Sequence, residues 1–282
     1  MKVGIFANPT KADAPSALRM IITELAQYDV EYVLDVEAGD LIGEPGTPDF
    51  YKDVDLVLSL GGDGTMLETV HRMGGDFSIP IAGINIGTLG FLTTCTDEDF
   101  PLYAKHLVNN ELRSVELSTL EVEMEEEGRG KHTYWALNEM VLMRGNTGRL
   151  VSIEAEVNGD FLTHYRADGL IISTPTGSTA YSLAAGGPLI APGSGVFVIN
   201  PICPHTLSNR ALVVPNTSEI TLKVCDTEPI MFTADGRDVL KVAPKSVVTA
   251  RLAKSRLSLL QMPNSTYYQK LRVKLGWTGG AN

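Results

Sequence analysis

Three polar groups interrupt apolar stretches of this 282-residue chain, and each carries residue types suited to a phosphorylated or ribose-bearing ligand. The first is Gly61-Gly62-Asp63-Gly64-Thr65, directly after the strand-like stretch 55–60 with its apolar run Leu56-Val57-Leu58. Its three glycines let the backbone approach a ligand closely. A helix expected over 65–73 would add unpaired N–H groups and a positive dipole end, which suit phosphate. Leu67 stands where the dinucleotide fingerprint G-x-G-x-x-G needs Gly or Ala, and no Gly-Lys-Ser/Thr occurs to make a P-loop. A carboxylate beside phosphate is unfavourable unless it holds a metal or accepts a proton. A turn in which Asp63 only N-caps the helix would use the same residues, and spacing alone leaves both readings open. On either reading, the substitution Asp63→Asn keeps the shape and hydrogen-bonding capacity of the side chain.

The second group is Asn138-Glu139, between Trp135-Ala136-Leu137 and Met140-Val141-Leu142. An amide with donor and acceptor faces beside a carboxylate is a natural reader of ribose hydroxyls and an adenine edge; a cross-strand pair at a sheet edge is the plainer alternative. The third and densest group runs from Arg166 and Asp168 through Thr174-Pro175-Thr176-Gly177-Ser178-Thr179-Ala180-Tyr181-Ser182 to Gly186-Gly187-Pro188. Small hydroxyl residues at a strand-to-helix junction donate to phosphates and riboses, and Tyr181 offers a ring to a base. Ser178 lacks the G-x-S-x-G elbow of a serine nucleophile.

The elements that must position these groups fall into two textures. Residues 2–7, 31–34, 55–60 and 79–84 read as strands, and 14–27, 65–73 and 96–109 as helices. This alternation predicts a βαβ domain with a parallel sheet. From Ser114 the pattern turns to period two. Stretches 116–126, 134–143, 151–157, 161–173, 196–199, 219–224, 230–233 and 247–260 are separated by turns such as Gly128-Arg129-Gly130, which predicts an antiparallel sandwich or layered sheet. Helical spacing returns over 267–277.

Composition excludes several classes. Apolar residues at 44% against 20% charged exclude a disordered chain, and no apolar run approaches the ~20 residues of a membrane-spanning helix. A net charge of −11 argues against a nucleic-acid partner; from Arg251 on, however, there are six Lys/Arg and no Asp or Glu. Cys95, Cys203 and Cys225 are too far apart for a zinc knuckle or a disulfide framework, and the five histidines lack metal-ligand spacing. A cytoplasmic location is expected.

Taken in chain order, Asn8–Lys11, Gly61–Thr65, Asn138-Glu139, Asp168–Pro188, Pro201–Arg210 and Leu271–Trp277 resemble the NAD kinase family across essentially the whole chain. The glycine-acid loop alone is shared with diacylglycerol-type lipid kinases and phosphofructokinases; the Asp168–Pro188 block is the specific one. The resemblance implies an α/β N-terminal domain (1–113, joined by 264–282) and a C-terminal β domain (114–263), with the nucleotide between them. It implies transfer of the terminal phosphate of ATP or polyphosphate to the 2′-hydroxyl of the adenosine ribose of NAD, giving NADP, with Mg²⁺ carried on the ATP. Asp63 would be the general base and Gly64 would lie beside the substrate. Asn138 and Glu139 would hold the nicotinamide nucleotide, Arg166 and Asp168 would flank it, and Thr179, Ala180, Tyr181 and Ser182 would grip the adenosine. Arg149 and Arg237 would be basic ligands, although Asp235-Gly236-Arg237 departs from the family's commoner Asp-Gly-Gln. A homo-oligomer, dimer or tetramer, is implied, with neither nucleic acid nor membrane as partner. A lipid kinase and a non-catalytic NAD(P)-binding regulator are the rival readings.

Overall fold

The computed structural model describes the chain except residues 88–89, 127–129, 146–147, 207 and 278–282. Most of the expected turn at 128–130, and Leu207 of the 201–210 motif, thus lie outside the described residues. The chain forms two compact units, Met1–Glu116 with Leu257–Asn282, and Leu117–Arg256.

In the first unit, β1 (Lys2–Ala7), α1 (Ala14–Ala26), β2 (Glu31–Leu34), α2 (Val36–Ile42), β3 (Leu56–Gly61), α3 (Asp63–Arg72), β4 (Ile81–Asn85), β5 (Thr93–Thr96), α4 (Phe100–Val108) and β6 (Arg113–Leu117) are joined by the returning β19 (Leu257–Gln261) and α6 (Tyr267–Lys274). The sheet order is β2-β1-β3-β4-β19-β6, with β5 also on β4. The β1–β2, β1–β3, β3–β4, β4–β5 and β4–β19 pairs are parallel. Every residue of β3 and β4 is buried, as a parallel sheet covered on both faces requires. Leu18, Ile21 and Leu25 of α1 and Phe100, Tyr103 and Leu107 of α4 share the core with Ile5, Leu58 and Ile84. Because β2 and β3 lie on opposite sides of β1, the carboxyl ends of β1 and β3 mark a topological switch point, the place where such sheets bind ligands.

Four boundaries differ from the sequence reading. Helix α3 starts at Asp63, not 65, since Gly62 takes the extended N-cap conformation. The stretch 96–109 contains the end of β5 before α4. Helix α2, unheralded by periodicity, is nucleated by Asp35, whose carboxylate accepts from the Glu37 amide at 3.1 Å. The stretch 247–260 breaks in two, and its second half, β19, pairs in parallel with β4 through Leu259 and Ile81. The return to the first unit therefore begins at Leu257, not 264. Alternating leucines mark a strand but not which sheet it joins.

The second unit holds β7 (Leu120–Glu126), β8 (Gly130–Ala136), β9 (Glu139–Met143), β10 (Val151–Val157), β11 (Asp160–Ala167), β12 (Gly169–Ser173), α5 (Tyr181–Ala184), β13 (Val196–Ile202), β14 (Leu212–Pro215), β15 (Ile220–Val224), β16 (Ile230–Ala234), β17 (Arg237–Val242) and β18 (Val247–Leu252). Two six-stranded sheets, β11-β10-β15-β18-β7-β8 and β14-β13-β12-β9-β16-β17, carry it. Val122, Ile153, Leu222 and Val248 of the first share one core with Met140, Leu142, Leu170 and Phe232 of the second. The polar interruptions are corners between the sheets. Asp168 separates β11 from β12, and Leu137-Asn138 separates β8 from β9. Stretch 161–173 is therefore two strands in different sheets.

Candidate active site

Asp63 is the first residue of α3, one position past the N-cap, so its carboxylate is not used to cap the helix. It faces the segment before β5 instead. Oδ2 accepts from the Phe91 amide and Oδ1 from the Leu92 amide, both at 2.9 Å. Gly90 makes this approach possible: a Cβ there would lie 2.0 Å from Asp63 Oδ1. Each carboxylate oxygen keeps lone-pair capacity for another partner. One consequence corrects the expectation for Asp63→Asn. An amide side chain has one oxygen for two facing N–H groups, so the substitution leaves one backbone amide without an acceptor.

Further polar groups border this carboxylate. Gly64 is exposed, with no described atom within 4 Å of where its Cβ would sit. Asn8, at the end of β1, donates to Thr65 Oγ1 at 3.1 Å. Asn85, at the end of β4, is buried, and its Nδ2 has no hydrogen-bond partner among the described residues. A helix N-terminus and an amide donor unpartnered among the described residues suit an anionic oxygen, while Asp63 supplies an acceptor beside them.

In the second unit, Asn138 and Glu139 sit at the β8–β9 corner, and both are buried. The corner is held from outside its own strands. Asp235 accepts from the amides of Leu137, Asn138 and Glu139 at 2.7, 2.8 and 3.0 Å, and its own amide donates to Glu139 O at 2.9 Å. Asp235 and Gly236 form the two-residue turn between β16 and β17, with φ of 51° and 71°, the type I′ geometry favoured by Asp-Gly. The turn also places Arg237, the first residue of β17, at this corner.

Glu139 is not the carboxylate its sequence context suggests. Burial, then the neighbouring Asp235 charge, push its carboxyl up to about 8, opposed by a hydrogen bond from the Tyr181 amide. Near neutral pH it is mainly a neutral acid able to donate. Its Oε2 has no partner among the described residues.

The hydroxyl-rich run packs against the same corner. A Cβ on Gly177 would lie 2.2 Å from Asn138 O, so only glycine lets the turn press so closely. Most of the hydroxyls expected to donate to a ligand serve the turn itself. Thr174 donates to Leu137 O at 2.6 Å, Ser178 to Pro175 O at 2.6 Å, and Thr179 to Thr176 O at 3.1 Å. Ser182 is fully buried, and its carbonyl and hydroxyl oxygens accept from Asn200 Nδ2 at 3.0 and 3.3 Å. The part-buried Thr179 and Ala180 and the exposed Tyr181 ring are what this segment presents outward.

The remaining candidates lie at the other end of the same strands. Strand β12 runs antiparallel to β9, with Ser173 opposite Glu139 and Gly169 opposite Met143. Asp168 is therefore beyond the far end, five residues from Ser173 and roughly 17 Å away at ~3.3 Å per residue. There it pairs with Arg144 at 3.2 Å. Arg149 and Arg166 line an open cavity of about 680 Å³ with Ser152 and Asp226. All of β12, and β9 up to Leu142, are buried, so among the described residues these strands offer no open face along which a ligand could join the two ends. One molecule thus groups Asn138, Glu139, Thr179–Ser182 and Arg237 apart from Arg149, Arg166 and Asp168.

Sequence reading missed Gly90, the Phe91 and Leu92 amides, and the clasping role of Asp235. Gly87 and Gly90 after the buried run 81–86 repeat the logic of the first glycine loop and could have flagged it. The reach of Asp235 across the sheet has no local signal.

Comparison with known proteins gives the frame for these groups. The profile of the ATP-NAD kinase N-terminal domain matches residues 3–112, and that of the ATP-NAD kinase C-terminal domain matches 137–262. An NAD kinase of Syntrophotalea carbinolica is 35% identical over 288 aligned positions, covering 98% of both chains. One from Geobacter metallireducens is 36% identical, again covering 98% of both. Two solved structures share the fold. Yeast NADH kinase complexed with NADH superposes with a TM-score of 0.92 at 24% identity, covering 100% of this chain and 89% of that one. An Archaeoglobus fulgidus NAD kinase in complex with ATP gives 0.76 at 23%, covering 99% and 100%. Two domain profiles matched in chain order, with over a third of residues identical across nearly the full length, place the chain among enzymes: it belongs to the NAD kinase family.

Proposed function

We propose that the enzyme transfers the terminal phosphate of ATP to the 2′-hydroxyl of the adenosine ribose of NAD, forming NADP, with Asp63 as the general base. The observation carrying this reading is the Asp63 carboxylate, clasped by the Phe91 and Leu92 amides at the start of α3. A base fixed by backbone donors meets its substrate without reorganising. In the step, the 2′-oxygen forms a bond to the terminal phosphorus, the bond from phosphorus to the bridging oxygen breaks, ADP leaves, and the hydroxyl proton passes to Asp63. Gly64 and Asn85 stand where anionic phosphate oxygens need donors, and Mg²⁺ enters with ATP to neutralise charge. Asn138, Glu139 and the Thr179–Ser182 segment bind the NAD nucleosides, Glu139 donating as a neutral acid. The NADH and ATP complexes of the two structural neighbours support these ligand classes. Polyphosphate as donor is the variant of this reading.

Because no open sheet face links the two ends of β9 and β12, we further propose that Arg149, Arg166 and Asp168 act on nucleotide held by a second copy, in a homo-oligomer. The assay for the whole reading is NADP formation from NAD with ATP or polyphosphate. Asp63→Asn should lower turnover by ~10²–10⁴-fold while calorimetric NAD affinity persists. A drop of ~1–3 kcal/mol in stability should accompany it, from the orphaned amide. A folded Asp63→Asn enzyme forming NADP at near-parental rate would remove the base.

A further inference from the structure

Helix α6 buries only Lys270 and Leu271, and Lys270 is just 4% exposed. A buried ammonium is costly, and at this helix position a leucine or methionine would pack more cheaply. Its Nζ donates to two carbonyls, Phe91 O at 3.0 Å and Thr93 O at 2.6 Å. The same short segment therefore gives its amides at 91 and 92 to Asp63 and its carbonyls at 91 and 93 to Lys270. Two further contacts anchor the arrangement: the Tyr267 ring lies 6.5 Å from that of Phe91, and Thr94 donates to Leu260 O at 2.7 Å.

We propose that Lys270 is a positioning residue for Asp63, fixing the 91–93 peptides so that their amides hold the carboxylate in one orientation. The inference rests on Asp63 being the base. The groups acting on Lys270 come from three other elements. Asp63 on α3 favours its charge, Arg113 on β6 opposes it, and Cys95 on β5 stays a neutral thiol because burial pushes it up to about 12. Burial dominates and brings Lys270 down to about 8. Above that pH the clamp loses its charge, and charge-assisted hydrogen bonds are about twice as strong as neutral ones.

The experiment measures kcat and KM for Lys270→Met, Lys270→Arg, Asp63→Asn and the double variant Asp63→Asn/Lys270→Met. Lys270→Met should lose ~10–100-fold in kcat, the scale of a small misplacement of a reacting group, with KM for ATP and NAD nearly unchanged. The double variant should be no slower than Asp63→Asn alone. Parental kcat in Lys270→Met, or a loss that multiplies in full on the Asp63→Asn background, overturns the positioning role and leaves the base reading standing. Near-parental turnover in Asp63→Asn overturns both. Should Lys270→Met fail to fold, Lys270→Arg decides, since a cavity of about 140 Å³ beside Gly90, Gln269 and Lys270 has room for the guanidinium. At saturating NAD, where ionisation of Glu139 near the same pH acts on binding and not on turnover, the parent's kcat should fall as pH rises through about 8, and in Lys270→Arg that fall should vanish. A profile identical in both enzymes refutes the inference.

Discussion

Glu139→Gln should separate two stability curves that differ only in one proton. In the parent, burial and Asp235 raise the Glu139 carboxyl from 4.5 to about 8. A raised carboxyl means the folded state holds the proton more tightly than the unfolded one, so its contribution is fully present below 4.5. It is lost progressively as pH rises toward 8. Each unit of pH in that window costs about 1.4 kcal/mol. Between pH 5 and 8 the parent should lose about 4 kcal/mol relative to the variant, an upper bound given that the unfolded chain is not fully solvated. Glutamine preserves the remaining contacts. Its oxygen still accepts from the Tyr181 amide, and its nitrogen replaces an Oε2 that already lacks a partner among the described residues. Urea titrations at pH 5, 6, 7 and 8 read the effect through Trp135 on β8. A Trp277→Phe background leaves it the sole tryptophan. Parent and variant should nearly coincide at pH 5 and diverge at pH 8, with Glu139→Gln the more stable. Parallel curves across the range would refute the argument that Glu139 is folded as a neutral acid.

Further expectations concern the two clasps and the assembly. Gly90→Ala should cost turnover on the scale of Asp63→Asn with NAD affinity kept, because its Cβ falls 2.0 Å from Asp63 Oδ1; steady-state kinetics with calorimetry checks this. Gly64→Ala meets open space, so its melting temperature should hold while the KM for ATP rises. Asp235→Asn should cost ~1–3 kcal/mol, read by urea unfolding, because one oxygen cannot serve three amides on both sides of the corner. Mixing unfolded Asn138→Ala and Asp168→Ala chains and refolding them together should restore NADP formation that neither homo-oligomer supports, and no recovery would remove the shared-site proposal.

Much of this was legible in the sequence, for identifiable reasons. The continuous apolar run 56–58 and the acid-apolar alternation of 120–125 each admit one kind of sheet, so the two textures led to the two architectures. The polar groups at Asp63, Asn138-Glu139 and Asp168 stand out because they interrupt apolar stretches. Register and return were not legible. Nothing in Leu257–Gln261 distinguishes a strand bound for β4 from one continuing the antiparallel sheet. Nor does Arg166-Ala167-Asp168 announce that it lies at the opposite end of β12 from Ser173. Side-chain periodicity specifies which face is buried, but the pairing partner is decided by chain segments a hundred or more residues away.

The two Asp-Gly dipeptides show why residue type underdetermines role. Asp63-Gly64 and Asp235-Gly236 are alike in sequence, and each carboxylate clasps backbone amides from another segment. What separates them is saturation and backbone. Asp235 stands at positive φ in a hairpin, meets three amides, and fixes the corner from which Asn138 and Glu139 project. Asp63 is helical, meets two amides, and borders the exposed Gly64 and an Asn85 amide that has no partner among the described residues. Its oxygens are therefore held without being used up, which is the condition a proton acceptor must satisfy. A carboxylate with every lone pair engaged is architecture, and one left loose in solvent is only a weak base. The intermediate state, oriented by the protein yet open to one more donor, is what the proposed transfer of a hydroxyl proton to Asp63 requires.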